Sequence, residues 1–76
     1  MTQEMMIQKL AQAYPNSNIQ VFDLTGTQDH WEVSVESKAF AGKTRIQQHQ
    51  DIMTVFAAEL KTGEVHALSI RTKLIS

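Results

Sequence analysis

Three histidines, His30, His49 and His66, are the side chains of this chain best suited to metal binding or proton transfer. A neutral imidazole is a good ligand for zinc or iron, and histidine is the side chain that titrates near neutral pH. Asp29 directly precedes His30, so these two could also form a carboxylate–imidazole dyad. Each histidine has a simpler interpretation as well: a solvated strand end for His30, helix packing for His49 and a strand-end filler for His66.

Other chemical motifs do not fit the sequence. No serine or threonine lies in a G-x-S-x-G nucleophile elbow, and the three glycines are isolated, so they form no phosphate-binding loop. The chain has no cysteine, which excludes a disulfide and a thiolate ligand from its own residues. We therefore predict that the protein is not an enzyme. Any metal that it binds must obtain part of its coordination from another molecule.

Composition predicts one small globular domain over residues 1–76. The chain is 42% hydrophobic and 20% charged, which is ordinary for a folded protein, and its formal net charge of −1 gives no overall attraction to nucleic acid or an anionic membrane. The first ten residues lack the pattern of a signal peptide, and no apolar run approaches the length of a membrane span. The sequence therefore predicts a soluble, cytoplasmic protein without a membrane partner.

The first half of the chain predicts a helix followed by a hairpin. A helix capped by Thr2 should end before Pro15, because the residue before proline avoids helical geometry. Residues 18–24 and 30–37 are predicted strands, rich in β-branched and aromatic residues, and the short loop TGTQD between them favours a hairpin. In the second strand, apolar and polar residues alternate strictly, which places one set of side chains on the buried face: Trp31, Val33 and Val35.

The second half predicts a long helix and a third strand. Thr44 and Gln47 form a T-x-x-Q capping box, and the helix should run to about Lys61, before Gly63 as a C-terminal cap. The third strand is predicted from residue 64 to about 72. The apolar stripe of the long helix is predicted to contain Ile46, His49, Met53, Phe56 or Ala57, and Leu60.

The order α-β-β-α-β brings two of the histidines together. A β-α-β crossover is nearly always parallel, so the start of the second strand, with His30, should lie beside the start of the third, with His66. The strict alternation of side chains along a strand argues against one ion bound by both His30 and His66. If Trp31 and Leu68 both face the core, the two imidazoles point to opposite sides of the sheet and could meet on one metal only if the strand ends fray.

The sequence resembles the BolA-like family over nearly the whole chain, most strongly from residue 30 onward. Two segments carry the resemblance, HWEVSVESKAFAGKTRIQQHQ at 30–50 and EVHALSIRT at 64–72. They contain the S-x-x-F-x-G-K-x-R connector, a helix with a central histidine, and H-A-L-S. The resemblance implies a single α+β domain with a three-stranded mixed sheet and its helices on one face, related to the second type of KH fold.

The resemblance also implies a function. BolA-like proteins pair with monothiol glutaredoxins in iron–sulfur cluster assembly, transfer or iron sensing. The implied cofactor is a 2Fe–2S cluster shared with a glutaredoxin cysteine and glutathione, with none bound by the isolated chain, which is expected to be a monomer. The histidine of H-A-L-S, His66, is the implied ligand, and His30 is the nearest candidate for a second one. The implied partner or nucleic-acid surface contains Gly42, Lys43, Thr44, Arg45 and Arg71.

A DNA-binding transcriptional or stress regulator stays open as the alternative. Lys43 and Arg45 stand at the amino end of the long helix, where phosphate binding is favourable, although ordinary surface solvation explains the same charges. AGKT at 41–44 is not the G-x-x-G loop of true KH domains. Gln48 and Gln50 flank His49 where relatives often have arginine, which removes two positive charges. We therefore expect DNA binding to be weak.

Overall fold

The chain folds as a three-stranded sheet with helices on one of its faces, in a computed structural model that describes residues 1–75. The predicted fold class is confirmed. The elements are α1 (Gln3–Ala13), β1 (Asn18–Asp23), β2 (His30–Ser37), a short 3₁₀ turn (Lys38–Phe40), α2 (Arg45–Val55), α3 (Ala57–Thr62) and β3 (Ala67–Leu74).

The sheet has the order β1-β2-β3, with β2 in the centre. β1 and β2 pair antiparallel as a hairpin, and β2 and β3 pair parallel, as the crossover rule requires. The hairpin loop is closed by the Asp23 carboxylate, which accepts hydrogen bonds from the backbone N–H groups of Gly26 at 3.0 Å and Gln28 at 3.2 Å. Both pairings were predicted, and both are confirmed.

The core lies between the inner face of the sheet and the helices. The strict alternation of β2 places every second side chain inward, and helical spacing in α1 does the same for one stripe of that helix. Within residues 1–75, no helix is both long and apolar enough to cross a membrane. The fully buried apolar side chains include Met6, Leu10, Val21, Trp31, Val33, Val35, Phe40, Ile52, Phe56 and Val65.

The predicted helix caps are present. The Thr2 hydroxyl accepts a hydrogen bond from the backbone N–H of Met5 at 3.2 Å. Thr44 and Gln47 form the reciprocal capping box. The Thr44 hydroxyl accepts from the backbone N–H of Gln47 at 3.2 Å, and the side-chain Oε1 of Gln47 accepts from the backbone N–H of Thr44 at 2.9 Å. These local bonds set where α1 and α2 begin.

The prediction of one continuous helix to Lys61 is wrong. The helix breaks at Phe56, which has φ −107° and ψ 20° and separates α2 from α3. The predicted apolar stripe is only partly correct. Phe56 is fully buried and Leu60 packs against the core, as predicted, but Ile46 is 71% exposed and Met53 47%, and the fully buried Ile52 was not in the predicted stripe. Ile52 and Phe56 are four residues apart and so share a face, which turns Ile46 and Met53 toward solvent.

The third strand begins later than predicted. β3 starts at Ala67, and residues 64–66 form a connection from the left-handed cap Gly63 (φ +83°) into the strand. Val65 is anchored in this connection, since it is buried and its N–H donates to the Glu59 carbonyl at 3.1 Å. His66 therefore stands just before the strand and not inside it.

A partly buried ion pair joins the first and last helices. Glu59 of α3 has a side chain that is only 12% exposed, and its Oε1 accepts a hydrogen bond from the Lys9 ammonium of α1. The same ammonium lies 5.9 Å from the centre of the Phe56 ring. The hydrogen bond from Lys9 lowers the pKa of the Glu59 carboxyl below its ordinary value.

This pair predicts a loss of stability in acid. Because the pKa of Glu59 is lower in the folded state, the unfolded chain takes up this proton first, so the contribution is complete above about pH 4.3 and is lost as the pH falls further. We expect Glu59→Gln to flatten the acid limb of the unfolding free energy, measured by urea titration between pH 2.5 and 6. Glu4→Gln in α1 is the control and should keep the wild-type slope. Equal slopes for wild type and Glu59→Gln would contradict the assignment.

Candidate functional site

Asp29, His30 and His66 meet at the end of the sheet where β2 and β3 begin. The Asp29 carbonyl accepts hydrogen bonds from the N–H groups of His66 at 2.8 Å and Ala67 at 3.2 Å, which starts the parallel pairing one residue before each strand. The prediction that topology brings the two histidines together is confirmed. Their ring centres are 6.0 Å apart and the rings are nearly perpendicular, at 81°.

The Asp29 carboxylate lies between the two imidazoles. His30 Nδ1 is 3.0 Å from Asp29 Oδ1, and His66 Nδ1 is 3.5 Å from Asp29 Oδ2, so each carboxylate oxygen faces one ring. The expectation that strict alternation separates the two side chains is wrong. His66 precedes β3 and is therefore free of that alternation. Both rings stay accessible, with side-chain exposures of 43% for His30 and 62% for His66.

The hairpin loop fixes the Asp29 carboxylate in place. Oδ1 accepts hydrogen bonds from the hydroxyl of Thr27 and, at 3.3 Å, from that of Thr25. The hydrogen bond from Thr27, followed by that from His30, holds the pKa of the Asp29 carboxyl well below its usual range. Asp29 is therefore an anion at neutral pH and can only accept hydrogen bonds.

The role of Asp29 toward His66 was missed at the level of sequence. The D-H neighbours at 29–30 were noted as a dyad, but the contact to His66 crosses the whole β-α-β unit. A usable signal does exist. Asp29 stands one residue before the second strand and His66 one residue before the third, and parallel strands bring such positions side by side.

Gly63 leaves the outer side of the His66 ring open. This residue has φ +83°, a left-handed conformation that L side chains rarely adopt. A Cβ at this position would lie 3.7 Å from both Nε2 and Cδ2 of His66. Gly63, which caps α3, therefore places no side chain beside Nε2, the ring nitrogen on the far side from Asp29.

The described residues do not form a complete metal site. Within residues 1–75, no group of three or more histidine, aspartate or glutamate side chains is placed to hold a metal ion. Asp29 is engaged with Thr27 and with both imidazoles. The exposed ring of His66 could offer one ligand nitrogen. His30 Nδ1 is hydrogen-bonded to Asp29 Oδ1 at 3.0 Å, whereas His66 Nδ1 makes a longer contact of 3.5 Å with Oδ2.

The predicted partner surface lies elsewhere on the sheet. Arg45 and Arg71 come together with His49, Ile70 and Thr72 around a groove of about 360 Å³ between α2 and β3. Arg71 is about 13 Å along β3 from Ala67, at 3.3 Å per strand residue. The groove is therefore separate from His66. His49 is half-buried, which agrees with its prediction as a packed or partly buried helix residue, and it also lines the groove.

The remaining residues of that surface form the connector into α2. Gly42 has φ +75°, the Lys43 ammonium pairs with the Asp51 carboxylate, and Thr44 caps the helix. The connector follows Ser37, which pairs with Leu74 at the far end of β3, about 23 Å from Ala67. The structure thus brings Arg45 and Arg71 together and places the connector at the opposite end of the sheet from His66.

Comparisons with known proteins agree on one family. Residues 4–75 match a family model described as "BolA-like protein". An uncharacterized protein of Rickettsia prowazekii, RP812, is 32% identical over 63 residues, covering 83% of this chain and 80% of that protein. Among solved structures, the BolA domain of SufE1 and BolA1, both from Arabidopsis thaliana, are each 28% identical with a TM-score of 0.85. Each match covers 95% of this chain, and 90% and 89% of the two other chains.

Proposed function

Because the chain belongs to the BolA-like family, we propose that it is a non-enzymatic adaptor that works with a monothiol glutaredoxin in the assembly or transfer of 2Fe–2S clusters. The cluster is the cargo that the two proteins share. The observation that carries this proposal is the exposed imidazole of His66, which stands at the start of β3 with its Nδ1 facing an anionic carboxylate. Metal-binding histidines commonly have this arrangement.

One imidazole from this chain fits a shared cluster. Each iron of a 2Fe–2S centre needs two ligands besides the bridging sulfides, and histidine replaces cysteine in Rieske-type centres, so an imidazole is a competent ligand for this cargo. In the proposed complex, His66 supplies one ligand to one iron. The glutaredoxin cysteine and the glutathione thiolate supply two more of the four ligands. His30, whose ring centre is 6.0 Å from that of His66, is the nearest candidate in this chain for the fourth.

The third strand is the element that could join the ligand to a docking surface. β3 follows His66 directly and carries Arg71 further along. Its pairing with β2 ends at Leu74, near the connector with Gly42, Lys43 and Thr44. A partner that lies along β3 would therefore reach both ends of the proposed surface while it contacts His66.

Reconstitution tests the proposal. The chain is mixed with a monothiol glutaredoxin, ferrous iron, sulfide and glutathione, and visible absorption and circular dichroism are recorded against glutaredoxin alone and the chain alone. We expect a spectrum in the mixture that neither protein produces by itself, because the ligands of one iron differ. A mixture spectrum equal to the sum of the separate spectra would contradict the proposed function.

The groove between α2 and β3 favours DNA binding as the second candidate function. Arg45 forms no ion pair with any residue in the described range 1–75, and it shares the groove with His49 and Arg71. Arg71 is partly neutralised, since its Nε lies 3.3 Å from Glu32 Oε1. The groove could therefore hold a phosphate group, with few contacts.

Few contacts predict weak DNA binding that salt removes. The logarithm of the binding constant should fall by roughly 0.9 per logarithm of salt for each phosphate contact, and we expect binding to vanish near physiological salt. Arg45→Gln should reduce this slope by about 1, measured by fluorescence anisotropy with a duplex between 20 and 200 mM salt. Lys61→Gln, at the other end of the helical layer, is the control. Salt-resistant and sequence-selective binding would instead favour the regulator over the adaptor.

A further inference from the structure

Asp29 has a contact that the proposed cluster ligation does not by itself require. Its carboxylate is held by Thr25 and Thr27 from the hairpin loop, while its carbonyl holds the backbone of His66 and Ala67. The side chain and the main chain of Asp29 thus both contact His66. The backbone bonds place His66, and the carboxylate faces its ring.

The carboxylate constrains where the His66 ring carries its proton. Asp29 is ionised and can only accept, so a neutral His66 ring makes a favourable contact across the 3.5 Å to Oδ2 only when Nδ1 carries the hydrogen. The lone pair then lies on Nε2. This nitrogen belongs to a side chain that is 62% exposed, and Gly63 places no side chain beside it.

We propose that Asp29 is a positioning residue that selects the Nδ1–H tautomer of His66 and so makes Nε2 the atom that binds iron. This inference rests on the proposed function for the identity of the metal, although the tautomer itself is a property of the chain alone. Binding of iron at Nε2 makes the Nδ1 proton a stronger donor. The carboxylate then stabilises the ligated ring more than the free one.

The tautomer can be measured without any cluster. Two-bond ¹H–¹⁵N correlation spectra of the ¹⁵N-labelled chain, at a pH where the imidazoles are neutral, distinguish a protonated from an unprotonated ring nitrogen. We expect a protonated Nδ1 and an unprotonated Nε2 for His66. Asp29→Asn replaces the acceptor-only carboxylate with an amide that can accept through its oxygen or donate through its nitrogen. It should therefore weaken the preference and shift both signals toward the opposite tautomer, which free imidazole side chains prefer. Glu32→Gln removes a carboxylate from the same sheet without a contact to His66 and should leave both signals unchanged.

A second variant separates orientation from folding. Asp29→Ala removes the carboxylate but keeps the carbonyl that accepts from His66 and Ala67. Unchanged amide shifts for β2 and β3 will show that the pairing persists. We then expect the same tautomer change as in Asp29→Asn. A wild-type chain with the hydrogen on Nε2 would overturn the proposal.

The cluster shared with glutaredoxin provides a functional test of Asp29. Loss of such a partner commonly lowers metal affinity by roughly 10- to 100-fold, and we expect Asp29→Asn to lower the cluster affinity of the chain–glutaredoxin complex by this factor, measured by competition with a chelator. If Asp29→Asn retains full affinity while His66→Ala loses it, the role of Asp29 is refuted and the adaptor function stands. If His66→Ala retains the cluster as well, the proposed function itself is refuted.

Discussion

Replacing His66 with alanine is expected to abolish or change the visible circular dichroism of the cluster shared with glutaredoxin. The substitution removes the more exposed of the two imidazoles that face the ionised Asp29 carboxylate, so the iron that it would bind becomes thiolate-ligated or labile. The side chain is 62% exposed and lies outside the core, and the fold should therefore be retained. The measurement is the spectrum of the reconstituted mixture, together with its decay in the presence of a chelator.

Association of the two apo proteins should survive the same substitution. The proposed contact surface extends along β3 and is broader than one side chain, so calorimetry should still detect the complex. His30→Ala is the matched control, because it removes an imidazole bonded to the other oxygen of Asp29. We expect the smaller spectral effect from it. If His66→Ala leaves the spectrum of the mixture untouched, His66 is only a residue at a strand end, and the proposed mechanism is wrong.

Phe56→Ala is expected to cost about 3–5 kcal/mol of unfolding free energy, the usual range for deleting a buried aromatic side chain. Phe56 is fully buried at the break between α2 and α3, and its ring also lies beneath the Lys9 ammonium. A small domain typically has about 5–15 kcal/mol in total, so this single substitution should leave the chain barely folded. Urea titration followed by far-ultraviolet circular dichroism measures the effect.

The matched control lies in the same helical layer. Ile46 of α2 is 71% exposed, and Ile46→Ala should change the unfolding free energy by about 0.5 kcal/mol or less. The contrast tests which face of the helix is buried. Similar losses for Phe56→Ala and Ile46→Ala would mean that the helix packs on the face with Ile46 and Met53.

Local signals were sufficient to predict most of the fold. The alternation around Trp31, the capping box at Thr44 and the cap at Gly63 each depend on neighbours a few residues away, and all three are confirmed. The crossover rule supplied the pairing of β2 with β3. These features need no knowledge of the packed core.

The helix phase could not be predicted in the same way. Apolar residues occur on two faces of 45–62, one with Ile46 and Met53 and the other with Ile52 and Phe56. Periodicity alone does not say which face meets the sheet. No glycine or proline marks the break at Phe56 in the sequence, so no local signal predicts it.

The candidate site was predicted in position but not in chemistry. Topology placed His30 beside His66, yet the shared carboxylate of Asp29 depends on how the hairpin loop closes. The loop conformation includes a left-handed Gln28 (φ +62°), and nothing in TGTQD requires it there. The contact between Asp29 and His66 depends on the folded conformation of the loop, so the sequence around Asp29 does not predict it.

The parallel pairing of β2 with β3 has a consequence for the order of folding. The hairpin pairs residues that are close in the sequence, such as Asp23 and Trp31, whereas His30 pairs with Ala67, which lies much further along the chain. Closing the long connection between β2 and β3 costs more chain entropy than closing the hairpin loop, and it slows the pairing of these two strands. We therefore expect β3 to dock after the hairpin has formed. Asp29 and His66 therefore meet only when β3 docks, and a nascent or partly opened chain does not hold the His66 ring against Asp29. In the proposed function, this contact would restrict cluster transfer to fully folded molecules.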